Sequence, residues 1–281
     1  MAASKIKRIL RLLAISAKMD LAWLLRDTKF ALMGVLGDIL ANLSVVSGVY
    51  LIALRFGGIG GMSVDEVLFM MAFSTLTTGV FILFGSGNNI HISRIIGRGQ
   101  LEHLFMQPLP LKTQLLTCGF TPFTGGCNFV MGCILLAVSA ARLELHVTIW
   151  WLLALLFYLA VTMTIIIARA YLVSSAAFYA PVAAEEIAHT AIDGTWQLST
   201  FPLSGMPLFI QLPLLVIFPE GLLAWFPSLC LLGRPPLNLT ELYPLAYALV
   251  ISLLAGFIFR KGLYYYVKKG SNRYVPYGFR R

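Results

Sequence analysis

The sequence predicts an all-α polytopic membrane protein with six transmembrane helices. Three observations carry that reading. Of 281 residues, 59% are hydrophobic and only 12% charged, against about 25% charged in an ordinary soluble domain. The apolar residues gather in blocks of about 20, the length that crosses a ~30 Å hydrocarbon core. The cations fall almost wholly on one side of those blocks. A soluble fold of this composition would expose large apolar patches and aggregate. A soluble enzyme, a nucleic-acid-binding domain and a disordered tail are therefore excluded. The net charge of +9 is explained by where the cations sit, so no nucleic-acid partner is expected.

Residues 1–29 come first. They hold no continuous apolar core and no small-residue cleavage site, so a cleaved signal peptide is not expected. At 100° per residue Lys7, Arg11 and Lys18 project from one side, and Ile6, Ile9, Leu13 and Leu24 from the other. This is an amphipathic helix for the inner interface, its cations near anionic lipid headgroups. The six spans then cover about 30–53, 67–84, 116–138, 149–170, 201–218 and 243–259, within a transmembrane domain of residues 30–262. Eighteen of the 21 Lys and Arg lie before the first span, between the second and third, at the end of the fourth (Arg169) or after the sixth. Only Arg55, Arg142 and Arg234 fall opposite. Cations stay in the cytoplasm, so both termini are cytoplasmic.

Residues 263–281 form a basic cytoplasmic tail. Tyr264, Tyr265 and Tyr266 make an aromatic belt, Lys268 and Lys269 an electrostatic anchor, and Gly270 ends the helix.

Catalytic chemistry is missing from the sequence. There is no phosphate loop, HExxH or GxSxG, and the glycines at 57, 58, 60 and 61 precede no lysine. Cys118, Cys127, Cys133 and Cys230 lack zinc spacing and read as packing residues. His91, His103, His146 and His189 are not expected to cluster, and Asp38 is essentially the lone ionisable group inside a span. Glu185, Glu186, His189 and Asp193 read as one solvated linker helix. No catalytic residue, metal site or bound cofactor is expected.

Three segments carry information. Leu101, Leu104 and Phe105 form an apolar stripe at i, i+3 and i+4, on a short cytoplasmic helix of about 98–107. Gly99 starts it, and Pro108 and Pro110 stop it. Such a helix either docks on a partner or lies on lipid as a connector. Pro202, Pro207, Pro213, Pro219 and Pro227 punctuate residues 201–233. About a dozen apolar residues after Pro219 are too few for a span, so residues 220–233 fit either half-helices re-entering from outside, with Trp225 at the headgroups, or a surface loop after a kinked helix. Asp38 and Asn42, four apart, share a face of the first span, as a substrate or proton site or as a helix–helix hydrogen bond.

Together GRGQLEHLFMQPLPL (97–111), the proline-marked run 201–233 and FRKGLYYYVKKGSNRY (259–274) resemble the membrane subunits of ABC exporters of the ABC type-2 permease family. The chain looks most like the subgroup of antibiotic, multidrug and viologen exporter permeases. The resemblance implies a pair of six-span permeases, identical or paralogous, above two ABC ATPase subunits that bind ATP and Mg. It makes the segment of Arg98, Gln100, Leu101, Glu102, Leu104, Phe105 and Gln107 a coupling helix docked on the ATPase, with Arg11 of the interfacial helix touching it too. It places a pathway between the permeases, near Asp38, Asn42, Pro207, Pro213 and Phe218, and an outer gate at Pro219, Trp225 and Pro227. It also implies a bacterial inner-membrane location and a hydrophobic or amphipathic cargo. Gln107 departs from the family pattern, in which a basic residue commonly precedes the proline. Two other readings stand beside this one. They are a secondary transporter or channel coupled through Asp38, and a scaffold that recruits a soluble partner.

Overall fold

The computed structural model describes residues 2–85, 89–117, 119–123, 125–236 and 240–270. Cys118 and the tail 271–281 lie outside the described residues. Among the described residues the regular elements are helical, apart from one isolated bridge between Ile59 and Met62. In chain order they are α1 (Ala2–Arg26), α2 (Thr28–Phe56), α3 (Val64–Phe84), α4 (Ile92–Gly97), α5 (Leu101–Phe105), α6 (Leu111–Thr117), α7 (Gly126–Arg142), α8 (Ile149–Ser174), α9 (Ile187–Ser199), α10 (Leu208–Val216), α11 (Trp225–Leu231) and α12 (Tyr243–Lys269). By length and composition α2, α3, α12, and α8 with its 3-10 extension Ser175–Phe178, can each cross a membrane. The pair from α10 to α11 is bent by 74°.

Local chemistry sets the helix ends. The Asp27 carboxylate accepts from the Phe30 amide at the start of α2. Ser63 and Glu66 form a reciprocal capping box on α3. The Thr148 hydroxyl accepts from the Trp151 amide at the start of α8. Gly270, at φ 73°, closes α12 where the sequence places the stop.

Two apolar cores result. The larger is built from α3, α8 and the segment 219–231, with Val46, Val49 and Ala53 of α2 at its edge. The smaller lies at the other end of the bundle. There Ile92, Ile95, Ile96 and Leu101 pack with Phe178, Phe259 and Tyr266.

The third span differs from its prediction. Its helix, α7, begins at Gly126 instead of near 116, and it is 17 residues long. Gly119 at φ 125° and Pro122 interrupt the apolar run before it. Neighbouring groups take up backbone donors freed at this break. The Phe123 amide donates to the Asp20 carboxylate of α1 at 2.8 Å, and the Thr121 amide to the Leu83 carbonyl. α1 is therefore held to the bundle through Asp20 and through Ser16, whose hydroxyl donates to the Thr117 carbonyl.

The fifth span differs more. Residues 201–218 do not form one helix. Instead α9 starts beside α4, where the Ala188 amide donates to the Ser93 hydroxyl. The chain then continues to Ser204, whose carbonyl lies so close to Gly60 that a Cβ there would sit 1.6 Å from it. Gly60, at φ 58° in the turn between α2 and α3, is the residue that permits this approach. Residues 187–204 thus lead from α4 to the turn between α2 and α3, and the helical part covers about 20 Å at 1.5 Å per residue.

The bent pair starts and ends at that same turn. Gly205 abuts Gly60, and Arg234 pairs with Glu66 at 2.8 Å. Its middle, the 3-10 turn Pro219–Leu222 and α11, is buried in the larger core. The bend falls next to Pro219, where the sequence predicts re-entry. Trp225, predicted near the headgroups, is packed within the protein, and its indole N–H donates to the Ser204 hydroxyl at 2.7 Å.

Candidate functional site

The residues picked out for docking lie on a platform built from α4, α5 and α6. Arg94 donates twice to the Glu186 carboxylate, at 2.8 and 2.6 Å, and Arg98 donates to Glu185. Ser93 donates to the Glu185 carbonyl at 2.7 Å. These contacts tie the platform to the segment leading into α9, so Glu185 and Glu186 are partners of the platform. The Tyr266 hydroxyl lies 3.4 Å from a Glu102 carboxylate oxygen and donates to it, joining α12 to the same body. The Gln114 amide donates to the carbonyls of Leu104 and Leu109, closing the turn after α5.

The helical part of this segment is five residues long, shorter than the predicted 98–107, because Gly99 (φ 71°) and the turn before Pro108 flank it. The predicted stripe is divided. Leu101 is fully buried in the smaller core and cannot touch a partner without unfolding. Leu104 is half-buried. Phe105 is 44% exposed, and its neighbour Met106, which the periodicity did not mark, is 75% exposed. The signal for Met106 was position alone, as an apolar residue on the turn between α5 and Pro108. Arg98 and Glu102 are engaged within the chain, whereas Gln100 and Gln107 are exposed. Arg11 is exposed on α1, the helix held to α6 through Ser16.

Charge and burial tune the platform. The hydrogen bond from Arg94 holds the Glu186 carboxyl below its usual range, and Glu186 in turn raises the Arg94 guanidinium. His91 stacks on His189, ring centroids 6.1 Å apart, which corrects the expectation of scattered histidines. His189 also pairs with Asp193. Burial first, and then Arg94, lower the His91 imidazole below its ordinary 6.5. An unfolded chain therefore binds this proton at higher pH than the folded one. The contribution to stability is complete above the ordinary value and lost as pH falls through it. Going from about pH 8 to about pH 5 should speed amide hydrogen exchange in α4, after correction for intrinsic rates, and His91→Gln should remove most of that effect. Equal loosening in both proteins would contradict it.

A second feature is a cavity of about 570 Å³ between α2, α3 and α9. Asn42, Val45, Val49, Met71, Trp196 and Phe201 give its apolar and amide lining, and Ser44, Ser74, Thr75, Thr78 and Thr200 its hydroxyls. Among the described residues no ionisable side chain borders it. Asn42 also donates to Asn128 of α7 at 2.7 Å. Asp38, one turn away on an exposed face, does not border it, and neither do Pro207, Pro213 or Phe218. Of the gate residues, Pro219, Trp225 and Pro227 all lie in the buried arm of the bent pair.

The sequence reading missed one polar site. Arg169 of α8, assigned there to the cytoplasmic side, donates to the Glu220 carboxylate inside the bundle. Asp38 is therefore not the lone charge in the apolar region. A lone Glu in a run of Leu, Phe and Pro was the available signal. Among the described residues no group of three or more His, Cys, Asp or Glu is placed to hold a metal ion. Cys127, Cys133 and Cys230 are unpaired thiols.

Four helices long and apolar enough to cross a membrane, with a bent apolar pair packed among them, define a multi-pass membrane protein. Residues 40–270 match the family described as ABC-2 family transporter protein. The chain belongs to that family, and so to the membrane permeases that work with an ABC ATPase subunit. No curated protein and no solved structure matches it.

Proposed function

We propose that this chain is one half of the translocation path of an ATP-driven exporter, working with a second permease, identical or paralogous. ATP and Mg bind the partner ATPase, not this chain. The observation that carries the reading is the exposed pair Phe105–Met106 on a platform whose Arg94, Arg98 and Glu102 are engaged within the chain. Large apolar side chains held rigidly outward form a docking knob. In this reading α2, α3, the segment with α7, α8, the segment 187–204 and α12 make six crossings, and both termini face the cytoplasm of a bacterial inner membrane.

The substrate class follows from the cavity. An apolar wall with several hydroxyls and no charge suits a hydrophobic or amphipathic molecule, and a charged one would lose hydration without a partner. ATP-driven closure of the ATPase pair moves the platforms, and that bias shifts the permease between two arrangements.

The test is reconstitution of the permease and its ATPase in proteoliposomes with an amphipathic fluorescent dye. ATP-dependent dye movement that needs both subunits is expected. Movement without the ATPase that is lost in Asp38→Asn would overturn it in favour of ion coupling.

A further inference from the structure

Arg169 lies on α8 twenty residues after Ile149, and its side chain is 15% exposed. Its guanidinium donates to the Glu220 carboxylate and to the Thr195 hydroxyl. Glu220 is 2% exposed, and its Oε2 is buried without a hydrogen-bond partner among the described residues. Three elements meet at this one side chain. They are α8, α9 and the inner turn of the re-entrant arm.

A buried ion pair repays its desolvation only when its remaining lone pairs are satisfied. Here one carboxylate oxygen is not. Apolar residues of similar volume would hold these elements together at lower cost, so stability alone does not account for the pair. Its position offers another account. α9 carries Thr195 near one end and is held to the platform at the other, through Ser93, Arg94 and Arg98. Thr195 stands seven helical residues after Ala188, so a rod of about 10 Å joins those points. The arm is fastened at its outer end by Arg234 to Glu66.

We infer that Arg169 is a positioning residue of the export cycle, the pin through which movement of the docked platform, carried by α9, reaches the re-entrant arm at Glu220. This rests on the exporter reading above. The state described here is the pinned one. A shift of α9 changes the Thr195–Arg169 contact and with it the hold on Glu220, so the arm moves only when the platform does. The physical warrant for such coupling is an element with two arrangements that both ends bias.

The test uses full-length permease with its ATPase in proteoliposomes, comparing Arg169→Gln, Glu220→Gln, Thr195→Val and Arg169→Lys. Arg169→Gln and Glu220→Gln should lower dye transport at least about tenfold while ATP hydrolysis stays within about twofold. Arg169→Lys should restore part of the transport. Thr195→Val removes one hydrogen bond and should uncouple more mildly, by about threefold, which keeps the test open if the charge variants fail to assemble. Amide exchange across 219–231, read on the permease alone, should rise at least about tenfold in Arg169→Gln. Wild-type transport in Thr195→Val and Glu220→Gln, or hydrolysis and transport falling by the same factor, overturns the pin. If the wild-type complex shows no ATP-driven transport, the exporter reading fails. Unchanged exchange across 219–231 in Arg169→Gln then overturns the pin independently.

Discussion

Replacing Phe105 and Met106 together by Asp should weaken binding of the ATPase subunit by at least about 100-fold and abolish coupled transport, with the permease itself as stable as before. The two side chains are 44% and 75% exposed, so the folded chain loses little when they change. A partner groove that covers them gains about 1–2 kcal/mol from each. A carboxylate in that groove loses this gain and adds its own desolvation cost. About 3 kcal/mol is already a factor of more than 100. Leu101→Ala supplies the contrast. Leu101 is fully buried, so its truncation should remove about 2–5 kcal/mol of stability. Thermal unfolding in detergent and a titration of ATPase binding separate the two effects.

The second large effect is expected in the α3–α7 pair. A Cβ on Gly132 would lie 2.5 Å from the backbone of Leu76, and one on Gly79 would lie 2.3 Å from the Phe129 amide nitrogen. Carbon atoms in contact prefer about 3.5–4.0 Å. The two backbones are in direct contact because both positions lack a side chain, the usual way helices approach closely in lipid. Gly132→Val must push the helices apart or distort them, and about 3 kcal/mol or more of stability should be lost. Gly256→Val is the control, since nothing lies within 4 Å of a Cβ there. A clear fall in unfolding temperature for the first and little change for the second is the expected result. Equal shifts would show that the approach is not tight in the native protein.

What could be read from the sequence depended on whether the partner of a residue was near in the chain. The class was legible from composition, and the end of α12 from Gly270, because both are local. The break next to Pro219 was legible because prolines interrupt the run and a dozen apolar residues cannot cross a bilayer. The helix over 187–199 was not. Hydropathy favours 201–218 over 187–199, which carries Thr190, Asp193, Thr195 and Gln197. Partners far away in the chain make that second stretch tolerable. Ser199 meets Ser74, Trp196 packs on Phe81, and Thr195 accepts from Arg169. The same limit hid the ion pair, since Arg169 and Glu220 stand 51 residues apart. It also hid the histidine stack across α4 and α9. At the docking segment, periodicity marked Leu101 and Phe105 alike. Only the fold separates them, because Leu101 turns toward Phe178 and Tyr266 while Phe105 faces away from the smaller core.

The most direct test of where energy enters this molecule is a photoreactive amino acid in place of Met106, illuminated in membranes that hold the permease and its ATPase. The account predicts a covalent adduct to the ATPase subunit, with no such adduct from the same group in place of Leu249 on the exposed face of α12. Illumination that yields only lipid adducts at position 106, in a complex that still transports, would contradict it.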